Sequence, residues 1–376
     1  MYKIIFLFCY LIVSNSIFAI NKPNPYIKDF QKDVNKMMDF YSPKIKFWQD
    51  KNCIHTRSCQ GHEQGLWYWA QAAMILANYQ EQTGDKKYAS QLKSSYTSNW
   101  HYIINNNYYD DRLWWALALI KIYQVNKDMD ALDKAQLLVT SVVKQGLQNV
   151  CHGSGGIYWN AAKTQVGSIS NTMLITAAGR LYLITHDLKY KDIANQTWQW
   201  LQLSGLLDSN HNLADNYTVN NQKQCGKLTT WHTTYNDGML LGAASTLELI
   251  NGQKELRQYA NNIARKSLYE YSKGGIIEEI CTNAYACAED GYMFKGIFVY
   301  NLALHARYSL IDIYNIKQQL AYNYAVLLNK QNGAGIYAFN WSLPVNFKRD
   351  DGFYNPADIV TFISALYLEL ANVILN

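Results

Sequence analysis

Apolar positions recur with helical spacing along almost the whole chain, and alternating β-branched runs are scarce, which predicts an all-α protein. Short polar stops punctuate the pattern at similar intervals, at 83–88, 125–129, 185–190, 250–254 and 314–317. Each reads as a tight connection in which Gly or Asn ends one helix and Asp or another polar residue opens the next. The helices before the stops, about 65–82, 111–124, 168–184, 235–249 and 293–313, with a last one over 356–375, are rich in Ala, Gly, Leu and aromatics and poor in charge. That profile predicts helices buried nearly all round. The intervening helices, near 27–41, 86–103, 129–144, 188–203, 254–271 and 318–330, carry charge on one face and belong outside.

Strict alternation of buried and amphipathic helices predicts an (α/α)6 double barrel, six inner helices within six outer ones. An open solenoid of helix pairs has the same hairpin stops and is the alternative. The long irregular segments favour the ring. They fall at 44–64, 105–110, 148–167, 208–234, 274–292 and 332–355, each before an inner helix, so a ring would gather all of them at one end. Loops on a rigid scaffold are where function usually resides.

The first residues read as a secretory signal: Lys3 is the positive region, 4–13 the apolar stretch and 14–19 the small, polar end, with cleavage near Ala19. The apolar run is shorter than the roughly 20 residues of a membrane span, and no later stretch replaces it. The expectation is a signal over 1–19 and a single catalytic domain over 20–376, secreted or periplasmic and monomeric. The net charge is +5, its basic residues are scattered, and nucleic-acid binding has no support. Of seven cysteines, Cys9 leaves with the signal, and the even remainder predicts disulfides. The most local pairing joins Cys53 to Cys59 and Cys281 to Cys287, leaving Cys151 and Cys225 to pair or stay free. Cys53, His55, Cys59 and His62 could also form a zinc cluster, but their spacing is tighter than in common zinc modules and an oxidising compartment favours the bridge. No metal or organic cofactor is therefore expected.

Adjacent aspartates, Asp110 and Asp111, open a strongly apolar helix among Tyr108, Tyr109, Trp114 and Trp115. Carboxylates are costly to desolvate, and a pair among aromatics suits sugar cleavage, which uses two carboxyl groups and offers apolar faces to sugar rings. The plainer reading is that Asp110 caps the helix and Asp111 favours its positive end. Aromatics make up 14% of the chain, which makes stacking platforms plausible. Trp159 and Trp231, in loops beside Gly or His, are the favoured ones; Trp67, Trp69, Trp114 and Trp115 sit on inner helices, where a core role competes. Tyr109, Tyr235, Asn171 and Asn236, at inner-helix starts, are candidate sugar contacts, with helix capping an equal reading for Asn171. Asp290, in a glycine-flanked loop, either lines the groove or is a turn acid.

The run Tyr108-Tyr-Asp-Asp-Arg-Leu-Trp-Trp-Ala-Leu-Ala118 resembles the signature of glycoside hydrolase family 76, the α-1,6-mannanases and their fungal cell-wall relatives. Further likenesses follow in order: Gly155-Gly-Ile-Tyr-Trp159, Ile169-Ser-Asn171, Ala178-Gly-Arg-Leu-Tyr182, Ser204-Gly-Leu-Leu-Asp208, Thr234-Tyr-Asn-Asp-Gly238, and Asp290 with Phe294-Lys-Gly-Ile-Phe298. Arg112, Asp237 and Gly291 depart from the residues common in the family. The resemblance implies a retaining endo-α-1,6-mannanase acting on α-mannan or another α-mannosyl glycan, with Asp110 as nucleophile and Asp111 as acid/base. The alternatives are a transglycosylase using the same pair and a non-catalytic glycan-binding barrel.

Overall fold

The computed structural model describes residues 24–49, 66–149, 151, 153–222, 224–279, 290–310, 312–348 and 355–376. Among them, the helical periods form thirteen α-helices. In chain order these are α1 (Ile27–Met37), α2 (Leu66–Thr83), α3 (Ala89–Thr97), α4 (Trp100–Ile104), α5 (Tyr109–Asn126), α6 (Met129–Gly146), α7 (Ser168–Thr185), α8 (Leu188–Leu203), α9 (Thr234–Asn251), α10 (Lys254–Tyr271), α11 (Gly291–Ser309), α12 (Ile313–Leu328) and α13 (Ile359–Leu375).

The charge-poor helices α2, α5, α7, α9, α11 and α13 pack each on the next, and α13 returns to α2. That last contact closes the ring and removes the open solenoid, in which a repeat touches only its neighbours. The amphipathic helices lie outside, each in the groove between two inner ones: α1 between α13 and α2, α6 between α5 and α7, α8 between α7 and α9, α10 between α9 and α11, α12 between α11 and α13. The architecture is the (α/α)6 barrel. Burial follows the same division. Every residue of α2 from Leu66 to Gln80 is buried, whereas α10 buries only Leu256, Ala260, Ile263, Ala264, Ser267 and Tyr271, one face at helical spacing.

The polar stops act as predicted. Lys127, His186 and Gly252 take up left-handed conformations after α5, α7 and α9, each with its N–H bonded to a carbonyl of the last turn. Asp128 and Asp187 then cap α6 and α8 through their carboxylates. Three of the boundaries that differ from the expected ones have a local cause or signature. The outer helix over 86–103 is two, because the Asn99 side chain donates to Ser95 O and to Ile45 O, both at 3.1 Å, and the backbone bends there. α11 stops at Ser309, with Leu310 left-handed (φ 55°). α13 begins at Ile359, where Asp358 and Thr361 form a capping box.

The segments before the inner helices carry short antiparallel strands, of which the largest group joins Gln165–Gly167, Asn216–Val219 and Cys225–Thr229. A disulfide links Cys151 to Cys225 (Cα–Cα 5.3 Å), resolving the open alternative for these two in favour of pairing. The bridge spans 74 residues, a loop whose closure restricts the unfolded chain by about 4 kcal/mol. The signal segment, His55, His62, His152 and the pairs Cys53/Cys59 and Cys281/Cys287 lie outside the described residues. No helix among those residues is long and apolar enough to cross a membrane.

Inner helices approach closely where glycine permits it. A Cβ on Gly296 of α11 would sit 2.8 Å from both Cα and O of Ser364 on α13, and one on Gly238 of α9 would sit 2.7 Å from Phe298 Cα on α11. Backbone atoms cannot yield as a side-chain tip can, so helix spacing itself must change. Gly296→Ala is expected to destabilise the fold by about 1–3 kcal/mol, read as a lower urea midpoint with an unchanged denaturant slope.

Candidate active site

The inner helices all begin at one mouth of the barrel, where a cleft of about 950 Å³ opens. Its described lining comes from the starts of five inner helices and the segments before them: Leu66 and Trp67 of α2, Asp110, Asp111 and Trp114 of α5, Ile169 of α7, Tyr235 of α9, and Asp290 and Phe294 at α11, with Tyr108, Trp159 and Asp215 between. Acidic and aromatic groups dominate, and no lysine or arginine is among them. Such a lining suits a neutral, hydroxyl-rich ligand and repels an anionic one.

Asp110 and Asp111 stand half-buried in the first turn of α5, facing the cleft. Their surroundings differ. Asp110 accepts two N–H groups, from Trp159 Nε1 at 2.7 Å and from the backbone of Asp111 at 3.1 Å. Among the described residues Asp111 accepts one side-chain bond, from Asn106 Nδ2 at 2.9 Å. The orientation of that amide follows from chemistry: Asn106 Oδ1 accepts the Tyr108 backbone N–H at 2.7 Å, so Nδ2 faces the carboxylate. Arg112 fixes the loop in turn, with Nε donating to Asn106 O at 2.6 Å and Nη1 to Gln145 Oε1 at 3.0 Å. The unusual arginine after the aspartate pair thus holds the residue that holds Asp111.

Burial dominates both carboxyls and raises their pKa values. Asp110 is pushed up to about 7, its two N–H donors opposing the shift. Asp111 is raised well above the ordinary value, first by burial, then by the charges of Asp110 and Asp290, against the single donor Asn106. The two carboxyls titrate as a coupled pair, with the weaker set of donors on the Asp111 side. Asp290 is the third carboxylate, held by Tyr68 OH at 2.7 Å and Trp67 Nε1 at 3.1 Å. Asp215 is the fourth; burial raises its pKa although Asn216 and Asn236 amides donate to it at 2.7 and 2.9 Å.

Trp159 reaches Asp110 because the strand before it, Ser154–Ile157, lies flat on α8. A Cβ on Gly156 would fall 2.3 Å from the Trp200 ring, so the Gly-Gly pair is what lets the strand approach. Tyr108 packs against Trp159 with ring centroids 4.8 Å apart, and Tyr235 stacks on Phe294 at 3.8 Å and 5°. Tyr235 is set by the end of α9, where buried Glu279 accepts the Thr234 backbone N–H at 3.2 Å and its hydroxyl.

Of the residues singled out from sequence, Asp110, Asp111, Trp159, Tyr235 and Asp290 meet in the cleft, joined by Trp67 and Trp114, for which a core role competed. Four others stand elsewhere. Tyr109 is buried, its ring against Gly146 and under the Arg112 guanidinium, because the helical rotation turns it inward. Asn171 is fully buried and clamps the backbone of Ile157 and Gly167, a positioning role in place of the expected sugar contact. Asn236 is buried behind Asp215, which it orients. Trp231 is partly exposed and does not line the cleft. Sequence reasoning missed Asp215 and Asn106. Asn106 had a signal, a run of three asparagines just before the acid pair; Asp215 had none, since its partner Asn236 is 21 residues away.

Raised carboxyl pKa values carry a stability consequence. Such a group costs nothing below its unfolded pKa, near 4, and destabilises the fold increasingly as pH rises towards and through its folded value. Asp110→Asn is therefore expected to melt at a higher temperature than the parent at pH 8, with the difference vanishing near pH 4. Parallel thermal melts at the two pH values check this.

Comparisons with known proteins agree with this geometry. A putative mannan endo-1,6-α-mannosidase of Schizosaccharomyces pombe is 28% identical over 205 residues, covering 50% of this chain and 45% of the yeast protein. The mannan endo-1,6-α-mannosidase DCW1 of Candida glabrata is 24% identical over 249 residues, 62% of this chain and 53% of that one. The matched regions thus span about half the length of these relatives. In three dimensions the chain superposes on the α-1,6-mannanase GH76A of Salegentibacter sp. HEL1_6 with a TM-score of 0.77 at 22% identity, over 93% of this chain and 100% of that one. Dfg5 of Chaetomium thermophilum gives 0.77 at 19%, over 95% and 92%. The model of glycosyl hydrolase family 76 matches residues 27–375, and the chain belongs to that family.

Proposed function

We propose that the protein is an exported glycoside hydrolase that cleaves within α-1,6-linked mannose chains with retention of configuration. The observation that carries the reading is the unequal solvation of the aspartate pair in an aromatic cleft whose described lining holds no lysine or arginine. Asp110, with two N–H donors, is the better-stabilised anion and serves as nucleophile. Asp111, with one side-chain donor and two anionic neighbours, keeps the proton and serves as general acid. Once Asp110 is glycosylated its charge is gone, Asp111 loses that repulsion, and its carboxylate can take a proton from the incoming water. Adjacent side chains can reach the separation of about 5 to 5.5 Å that a covalent intermediate requires.

The comparisons supply the substrate class. An inactive variant of the Salegentibacter mannanase, with two consecutive aspartates changed to asparagine, is in complex with α-1,6-mannotriose, and a second inactive variant with α-1,6-mannotetrose. Export rests on the apolar run over 4–13 and on the disulfide between Cys151 and Cys225.

With debranched α-1,6-mannan as substrate, Asp110→Asn and Asp111→Asn are each expected to lower kcat by about 10²–10⁴-fold or more while the fold persists. Proton NMR should show the α-anomer first. Near-normal turnover by both variants, or initial β-anomer, would sink the assignment. Adding a mannosyl acceptor separates hydrolysis from transfer, since only transfer lengthens the acceptor. Asn106→Ala removes a donor that favours ionised Asp111, so the alkaline limb of the pH–rate profile should move to higher pH; a limb moving lower would contradict the acid role.

A further inference from the structure

We propose that the barrel axis binds a monatomic anion, a halide such as chloride, at Arg180 beneath the floor of the cleft. A void of about 20 Å³ lies among the inner helices, lined by Gln71, Trp114, Arg180, Tyr300, Asn301 and Tyr367 together with apolar side chains. Trp114 lines both this void and the cleft, so one indole separates them. The volume admits about one water-sized sphere.

Two of the donors around it, on Arg180 and Gln71, have no partner among the described residues. Arg180 on α7 makes no hydrogen bond and no ion pair among the described residues, although a guanidinium carries five N–H groups and a permanent charge. The titratable group acting on it is the phenol of Tyr300, and no carboxylate balances it. Gln71 is 3% exposed; its Oε1 accepts Tyr367 OH at 2.7 Å, while its Nε2 donates to none of the described residues. The Asn301 amide nitrogen is taken by Ile297 O at 2.9 Å, and the Tyr300 hydroxyl lies against Asn78. A charged donor and a neutral one therefore line a space of ionic size. Water can fill the space but does not neutralise the guanidinium, which no described carboxylate balances, and a halide does. Arg180 is half-buried, which leaves an approach from solvent.

Crystals of the full chain grown or soaked in bromide are expected to show an anomalous peak beside Arg180; no peak there, with water alone filling the void, overturns the site. In solution at constant ionic strength, replacing gluconate by chloride at about ten times the dissociation constant should raise Tm by about 2 °C. Arg180→Met should abolish that rise, and an equal rise in the variant refutes the assignment. If Arg180→Met does not fold, the bromide experiment on the parent protein decides alone.

Discussion

Everything at the cleft follows from the common direction of the inner helices. A ring of hairpins makes all six inner helices run the same way, so their N-terminal ends converge on one mouth. The unpaired N–H groups and partial positive charge of those ends make the mouth a place where carboxylates are tolerated near apolar walls. Asp110 and Asp111 lie in the first turn of α5, and Asp290 immediately precedes α11. The barrel thereby offers a field that suits acids, and the aromatic floor keeps that field from being screened by water.

The tolerance is incomplete, and on the proposed mechanism that incompleteness is what keeps a proton available. Were the helix ends and donors to satisfy both acids fully, both would ionise and no proton would remain for a leaving group. Instead burial wins at both, by different margins. The difference is set by ordinary parts: an indole that reaches Asp110 because two glycines let a strand lie flat, and an amide that reaches Asp111 because an arginine grips its backbone.

The fold was legible because its signals are local and repeated. Charge-poor and one-faced helices alternate, and each stop is a residue that tolerates a left-handed turn or caps the next helix, as Lys127 and Asp128 do. Ring closure was less so, since the α13–α2 contact joins residues from opposite ends of the chain. Within the site, the acid pair was readable as an energetic oddity. The errors came from direction: Tyr109 and Asp110 are neighbours in sequence, yet 100° of helical rotation sends one into the core and the other into the cleft. Asn171 and Asn236 begin inner helices as sugar-binding residues would, but their amides are spent on loop backbone and on Asp215. Asp215 owes its place to tertiary pairing between strands, which no local pattern announces.

The bond between Cys151 and Cys225 ties the segment leading to Trp159 to the ribbon that carries Asp215. Neither cysteine belongs to the helical ring. Made in a reducing cytosol, the same chain would still have its scaffold, but two walls of its groove would lose their covalent tie and be held by packing and hydrogen bonds. On the proposed export, assembly of this mouth would be coupled to passage through an oxidising compartment, so that competence arrives with secretion.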